Sequence, residues 1–374
     1  MKSLGNIIIS ILTIIILITI ILFPKEMIRA STNGLLLWYK NVIPSLFIFM
    51  TGISILTFTG FSNIFGKIFK NIMKPLFNVS EECAFPWIMG ILSGYPMGAK
   101  ITSELYYEGI ISKNDAQKTL SFSNNPAPIF IIGTISYTML NSITSGYFIL
   151  FIIFLSSIST GIIMRFINFN KNNNKYNLLI NNKYKNIKYS TGDILKKSIL
   201  SSVDTIVIIG GFIVLFSVII ETLEIWGIIT LITDFLYEIT GISKIYIKGI
   251  ISGIFEMTYG CNIVSSTNIN YFSKILGIIL LISFGGISIN AQTISILSKT
   301  DLNPFIYIIS KIINCFFSLI YTIIFFNLFE NYLKKTVPTI SISSNSNFNY
   351  IFSVYISILL ILILIKYLHI KISK

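Results

Sequence analysis

The sequence predicts an all-α integral membrane protein of about eight spanning helices, arranged as two inverted repeats with two re-entrant hairpins and two broken helices. Three observations carry that expectation. Of the 374 residues, 53% are hydrophobic and 11% charged, with a mean hydropathy of +0.79. A soluble domain of this length needs far more charge to cover its surface. Apolar runs close to the length of a bilayer span recur at residues 7–23, 144–164, 199–220, 305–326 and 351–368. Finally, the halves repeat one another. Gly90-Ile91-Leu92-Ser93-Gly94 matches Gly249-Ile250-Ile251-Ser252-Gly253 at an offset of 159, which also relates Gly52 to Gly211 and Leu56 to Leu215; Ser121-Phe122 matches Ser283-Phe284 at an offset of 162.

Residues 1–40 read as an N-terminal span and connector. Lys2 precedes the first run as in a signal peptide, but no small-residue cleavage pattern follows and the run ends in Pro24-Lys25-Glu26, so an uncleaved span is expected. Residues 41–167 form the first repeat: a long apolar helix (42–60), an amphipathic stretch (61–79), a glycine-rich segment (84–109), an apolar stretch broken by polar residues and prolines (119–140) and a closing span. Residues 168–193 form a polar loop rich in Asn, Lys and Tyr. From Arg165 to Lys197 the chain carries eight basic residues and one acid, Asp193, which places the loop in the cytoplasm. Residues 194–330 repeat the order (203–220, 221–241, 245–268, 271–297, 305–326), and 331–374 supply a linker and a C-terminal span.

Charge indicates how the repeats are related. The first amphipathic stretch has Lys67, Lys70 and Lys74 and no acid; the second has Glu221, Glu224, Asp234 and Glu238 and no base. Opposite signs fit opposite faces of the membrane. If each glycine-rich segment enters and leaves on one side, each repeat crosses three times and the second copy is inverted. Both termini are then cytoplasmic. Lys366, Lys371 and Lys374 agree with that; Lys25, Arg29, Lys334 and Lys335 go against it.

The net charge of +13 invites a nucleic-acid reading, but basic residues gathered in short cytoplasmic loops account for it. Cys83, Cys261 and Cys315 are far apart in apolar context and have no metal spacing, and His369 ends the last run. No His-Glu-x-x-His, P-loop or Gly-x-Ser-x-Gly with a histidine partner is present. Neither an enzyme nor a cofactor or metal is expected.

Four segments put helix breakers and polar groups at membrane depth, where such backbone survives only if protein buries it or water reaches it. Gly90 to Lys100 holds three glycines and Pro96; a hairpin tip there would offer backbone N–H groups to an anion, with Lys100 adding charge. A surface loop is the plainer reading. Ser123-Asn124-Asn125-Pro126-Ala127-Pro128 removes two backbone donors and opens a helix beside two asparagine amides, or serves as an ordinary connection. Gly253 to Asn262 includes Glu256 and Thr258; an acid in an apolar segment faces a cavity or a partner such as Lys100. Ser283 to Gln292 contributes Ser288 and Asn290, either to a site or to plain inter-helix bonding. Convergence of two tips and two breaks near the midplane is the expected solute site.

Pro44-Ser45-Leu46-Phe47, the run from Gly90 to Lys100, Ile111-Ser112-Lys113, Asn124-Asn125-Pro126 with Ile129-Phe130, and Phe255-Glu256-Met257-Thr258 with Gly260 resemble the YlbJ-type sporulation integral membrane proteins of endospore-forming bacteria, over about residues 35–330. The resemblance implies a nucleoside-recognition (Gate-type) membrane domain, similar in plan to concentrative nucleoside transporters. It also implies a role in sporulation, in dipicolinic acid passage across the outer forespore membrane. Composition and spacing do not name that solute.

The expected function is passage of a small anionic solute across the lipid bilayer, with a coupling proton or cation and no nucleic acid. The expected binding set is Ser93, Gly94, Tyr95, Pro96, Gly98, Lys100, Asn124, Asn125, Glu256, Thr258, Ser288 and Asn290. The alternatives are a non-transporting sporulation scaffold, which has no need of polar groups at membrane depth, and a nucleoside-type carrier.

Overall fold

The computed structural model describes residues 4–59, 62–169 and 190–333, and every regular element among them is helical. The expected C-terminal span at 351–368, His369 and most of the polar loop at 168–193 lie outside the described residues.

The first half comprises α1 (Leu4–Leu22), α2 (Pro24–Leu37), a wide π-type turn (Trp38–Val42), α3 (Ile43–Phe58), α4 (Ser62–Phe77), α5 (Ala84–Ser93), α6 (Met97–Tyr107), α7 (Lys113–Ser123), a π-type helix (Phe130–Met139) and α8 (Ile143–Arg165). The second comprises α9 (Thr191–Ile225), α10 (Ile228–Thr240), α11 (Lys244–Phe255), α12 (Met257–Ser266), α13 (Tyr271–Phe284), α14 (Gly286–Leu297) and α15 (Pro304–Leu333). The order predicted within each half is therefore present as apolar helix, amphipathic helix, helical hairpin, broken helix and long helix, except that the opening helix of the first half, α3, has only 16 residues and is among the shorter apolar helices. Several starts are set by local capping. Ser112, Ser190 and Asn270 accept the backbone N–H of Asp115, Asp193 and Ser273 at 3.1, 3.2 and 2.7 Å.

Among the described residues, four stretches are long and apolar enough to cross a membrane: Ile143–Arg165, Thr191–Ile225, Tyr271–Leu297 taken across its break, and Pro304–Glu330. A fifth arises if Ser10–Leu22 and Pro24–Lys40, bent by 114°, count as one. Large apolar side chains such as Ile21, Phe316 and Leu328 stay exposed on these helices, the surface of a protein whose solvent is lipid. The chain is an integral membrane protein. Two boundaries differ from expectation. The connector before residue 41 is helix α2, packed on α9 and running through the π-type turn into α3. The second amphipathic stretch begins only at Ile228, because α9 continues to Ile225 and stops at Trp226-Gly227, where Gly227 takes a φ of +70°.

Three hydrophobic clusters hold the described helices, a small one of Ile220, Ile229, Ile247 and Ile251 and two larger ones. In one of the larger, Phe77 of the amphipathic α4 stacks on Phe122 at 4.2 Å between centroids and meets Trp87 edge-on at 5.2 Å. The other joins the halves, with Tyr95, Ile131, Ile135 and Ile149 against Met257, Ile278 and Ile282. Hydroxyls and amides link the spans at their contacts: Ser156 donates to Asn314 Oδ1 at 3.3 Å, and Ser159 pairs with Tyr321 at 2.6 Å.

Candidate functional site

Each glycine-rich segment is a hairpin of two short helices. α5 and α6, of 10 and 11 residues, turn at Gly94-Tyr95-Pro96; α11 and α12, of 12 and 10, turn at Glu256 alone. At 1.5 Å per residue each arm reaches about 15–18 Å, roughly half of a 30 Å hydrocarbon layer. Small residues let the arms close. A Cβ on Gly90 would stand 2.9 Å from the Cα of Gly98, and one on Gly260 would stand 2.1 Å from that of Gly253.

The breaks follow from backbone chemistry. Pro126 and Pro128 have no N–H, so the carbonyls four residues earlier, on Phe122 and Asn124, lose their helical donors. Asn125 Nδ2 and Ser157 Oγ donate to Phe122 O at 2.8 and 2.7 Å, and the ammonium of Lys311 donates to Asn124 O. At the second break α13 ends in Gly285 (φ +82°). Here Tyr95 OH donates to Ile282 O at 2.8 Å, and Asn290 Nδ2 to Phe284 O at 3.4 Å.

Tips and breaks dock on one another through close backbone contact. Gly94 has a φ of +78° and packs on Ala127, whose N lies 2.4 Å from any added Cβ; Gly98 faces Ser123 O at 2.1 Å on the same measure. Gly286 packs in the same way against the second tip, near Gly253 O and Met257 N. Bonds also cross between the halves, from Tyr95 to Ile282 and from Asn124 Nδ2 to Thr293 Oγ1 (3.1 Å) and Tyr307 OH (2.9 Å).

A cavity of about 190 Å³ lies where these parts meet. Ser93 and Tyr95 come from the first tip, Ala127 and Phe130 from the first break, Glu256 and Thr258 from the second tip, and Gln292 from α14. Ile209 and Ile213 of α9 close an otherwise apolar wall. Glu256 is the one charged residue on the lining. Its carboxylate caps α12, accepting the N–H of Thr258 at 3.1 Å and of Tyr259 at 2.7 Å. The hydroxyl of Ser93 is buried without a hydrogen-bond partner.

Residues 39–169 match the Gate family model, described as nucleoside recognition. The resemblance read from Gly90 to Lys100 holds. The chain is also 27% identical over 334 residues to the sporulation integral membrane protein YlbJ of Bacillus subtilis (strain 168), an alignment covering 82% of this chain and 79% of the relative. No solved structure matches.

Of the residues expected to bind solute, Ser93, Tyr95, Glu256 and Thr258 face the cavity. Gly94, Pro96 and Gly98 shape the first tip. The amide nitrogens of Asn124, Asn125 and Asn290 are spent on the opened backbone and on neighbouring hydroxyls, while Asn124 Oδ1 and Asn290 Oδ1 are buried without a hydrogen-bond partner; Ser288 accepts from Gln292 Nε2 at 3.4 Å. Lys100 is placed elsewhere. It lies one turn beyond the tip, where its ammonium donates to Ser201 O at 3.0 Å and lines a different cavity. It is therefore not the partner of Glu256. The cation beside the central cavity is Lys311, fully buried, with its Nζ 5.0 Å from the centroid of the Tyr95 ring and 5.7 Å from that of Tyr307.

Proposed function

We propose that this chain carries a small polar solute across the membrane through the cavity between the two tips and the two breaks. The observation that carries the reading is one space lined by both hairpin tips, by the first break and by α14 just after the second break, with the buried carboxylate of Glu256 on its wall. A scaffold gains nothing from polar groups held at membrane depth, which are costly there and mark solute or ion routes. The volume favours a small occupant, because sites for drug-sized ligands run to about 300–1,000 Å³. The solute passes unaltered, so no enzymatic step is invoked.

Likeness to a sporulation membrane protein brings sporulation into the reading, with the outer forespore membrane as location and dipicolinate as the first solute to try. Protonation of Glu256 would relieve its repulsion of a bound dianion, and in that case the anion would travel with a proton. A nucleoside-type solute is the second reading, favoured by the apolar walls and by a lining whose neutral polar groups are Ser93, Tyr95, Thr134, Thr258 and Gln292. Uptake into proteoliposomes of dipicolinate and of uridine, with and without an imposed proton gradient, tests both. Proton-driven dipicolinate uptake supports the first reading and uridine uptake the second. Uptake of neither, by protein shown to be folded and inserted, overturns the transport reading in favour of a scaffold.

A further inference from the structure

A second cavity, of about 640 Å³, lies beside the central one and is of a different kind. Its lining includes Lys100, Glu104, Ser201, Asp204, Ser295 and Lys299. Its inner wall is polar and closed in: Lys100 is 5% exposed, and Ser201 Oγ donates to Glu104 Oε1 at 3.4 Å. Its rim, at Asp204 and Lys299, is exposed. Lys100 has three donors, and the bond to Ser201 O uses one. Among the described residues no carboxylate lies within 4 Å of it.

The two cavities share elements in a consistent order. α9 gives Ile209 and Ile213 to the central cavity and Asp204, Thr205 and Ile208 to the charged one. α14 gives Ile289 and Gln292 to the central cavity, then Ser295 and Ile296 to the other. The first hairpin gives Ser93 and Tyr95 at its tip, then Lys100 and Glu104 along α6. On each element the step is about one helical turn, or roughly 5–6 Å. It runs toward the start of α9 and toward the ends of α6 and α14. Three independent elements thus stack the charged cavity directly on the central one, on the side where α9 begins.

We infer that the charged cavity is a water-filled vestibule through which solute reaches the central cavity from the face where α9 begins, and that Lys100 on its inner wall is the cation that receives a solute carboxylate after the rim and before the central cavity. This rests on the transport reading above. Fixed charges of both signs keep the vestibule hydrated, and the spare donors of Lys100 supply a charge-assisted contact before the solute enters the largely apolar central cavity.

The test uses the full chain with Cys83, Cys261 and Cys315 replaced by serine, carrying Thr205→Cys or Ser295→Cys, in membrane vesicles of known orientation. A charged, membrane-impermeant methanethiosulfonate should label both positions from the α9-start face alone and abolish uptake, and dipicolinate or uridine, whichever is carried, should slow the labelling. Lys100→Gln should raise the KM for dipicolinate about tenfold with its maximal rate unchanged. No labelling from that face, or labelling that leaves uptake intact, overturns the vestibule. An unchanged KM in Lys100→Gln overturns the role of that lysine. If the parent protein takes up neither probe, the transport reading falls by itself, and the labelling still decides whether the cavity opens to water at that face.

Discussion

Glu256 connects helix capping with solute chemistry. It is 7% exposed, bonded to two backbone N–H groups and set on the cavity wall. Glu256→Gln keeps one acceptor for the cap, costing about 1 kcal/mol, but removes the group that changes charge. The expected outcome is protein inserted at wild-type level with uptake lost, and in an endospore former, spores poor in dipicolinate. Wild-type dipicolinate in such spores would assign Glu256 to the cap alone. Lys311 is the residue that sequence reading passed over. One lysine inside the apolar run 305–326 barely lowers its hydropathy, so the run reads as a plain span. The signal was nonetheless there, because an ionisable group within a span is a functional candidate by default. Lys311→Met strips Asn124 O of the donor that replaces the N–H missing from Pro128. A buried acceptor left open costs about 1–3 kcal/mol, so the detergent-solubilised protein should melt at lower temperature, and a melting temperature equal to wild type would show that the first break does not depend on Lys311.

The hairpins and breaks were legible because glycine and proline act through the backbone, whatever surrounds them. The partners were not, since the donors to the opened carbonyls come from Ser157, Lys311 and Tyr95, far away in sequence. Register was only partly legible. The repeated Gly-Ile-x-Ser-Gly at offset 159 ends beyond α5 in the first half but within α11 in the second, whereas the last residues of α5 and α11, Ser93 and Phe255, follow the 162 offset of Ser121 and Ser283. The docking of tip on break makes Gly98 intolerant. A Cβ there would meet a backbone oxygen that cannot swing aside, so Gly98→Ala should cost about 1–3 kcal/mol and reduce both thermal stability and uptake; Gly52→Ala, with open space around it inside α3, should leave uptake unchanged and raise stability by up to about 1 kcal/mol. The connections between elements contribute through charge. Asp301, after α14, accepts from Lys113 at 2.7 Å and from Tyr106 OH at 2.6 Å. Partial burial raises its carboxyl, but these bonds prevail and hold it below the usual range. A depressed carboxyl stabilises above its unfolded value of about 3.9 and loses that contribution as pH falls through the folded value. The pair is partly exposed, so Asp301→Asn should lower the melting temperature slightly at pH 7, by less than about 1 kcal/mol. The gap should narrow as the pH at which both proteins are compared is lowered below that unfolded value.

At the scale of the molecule, the charge contrast between the two amphipathic helices meets the geometry of α9. That helix has 35 residues and so runs about 52 Å, more than the 40–45 Å of a whole bilayer with its headgroups. α10 follows directly on its C-terminal end. α4 belongs to the other end. It follows α3, whose terminal Phe58 lines the charged cavity with Lys197 and Asp204 near the start of α9, and Arg165, at the end of α8, donates to Pro75 O within α4 itself. Basic α4 and acidic α10 thus stand at opposite ends of a helix long enough to cross, as an inverted pair requires. The basic end is the one that carries the loop at 168–193, which the positive-inside rule assigns to the cytoplasm. Single cysteines at Lys67 and at Asp234, in a chain with its native cysteines replaced, should therefore react with an impermeant maleimide from opposite sides, Lys67→Cys from the cytoplasm and Asp234→Cys from the far face. Lys67 is exposed and Asp234 half-buried beside Lys244, so Glu238→Cys, on the same helix and exposed, provides a second reading of that face. Reaction of Lys67→Cys and Glu238→Cys from one side would mean that the halves are oriented alike, and the inverted repeat would be discarded even if both hairpins and both breaks remained.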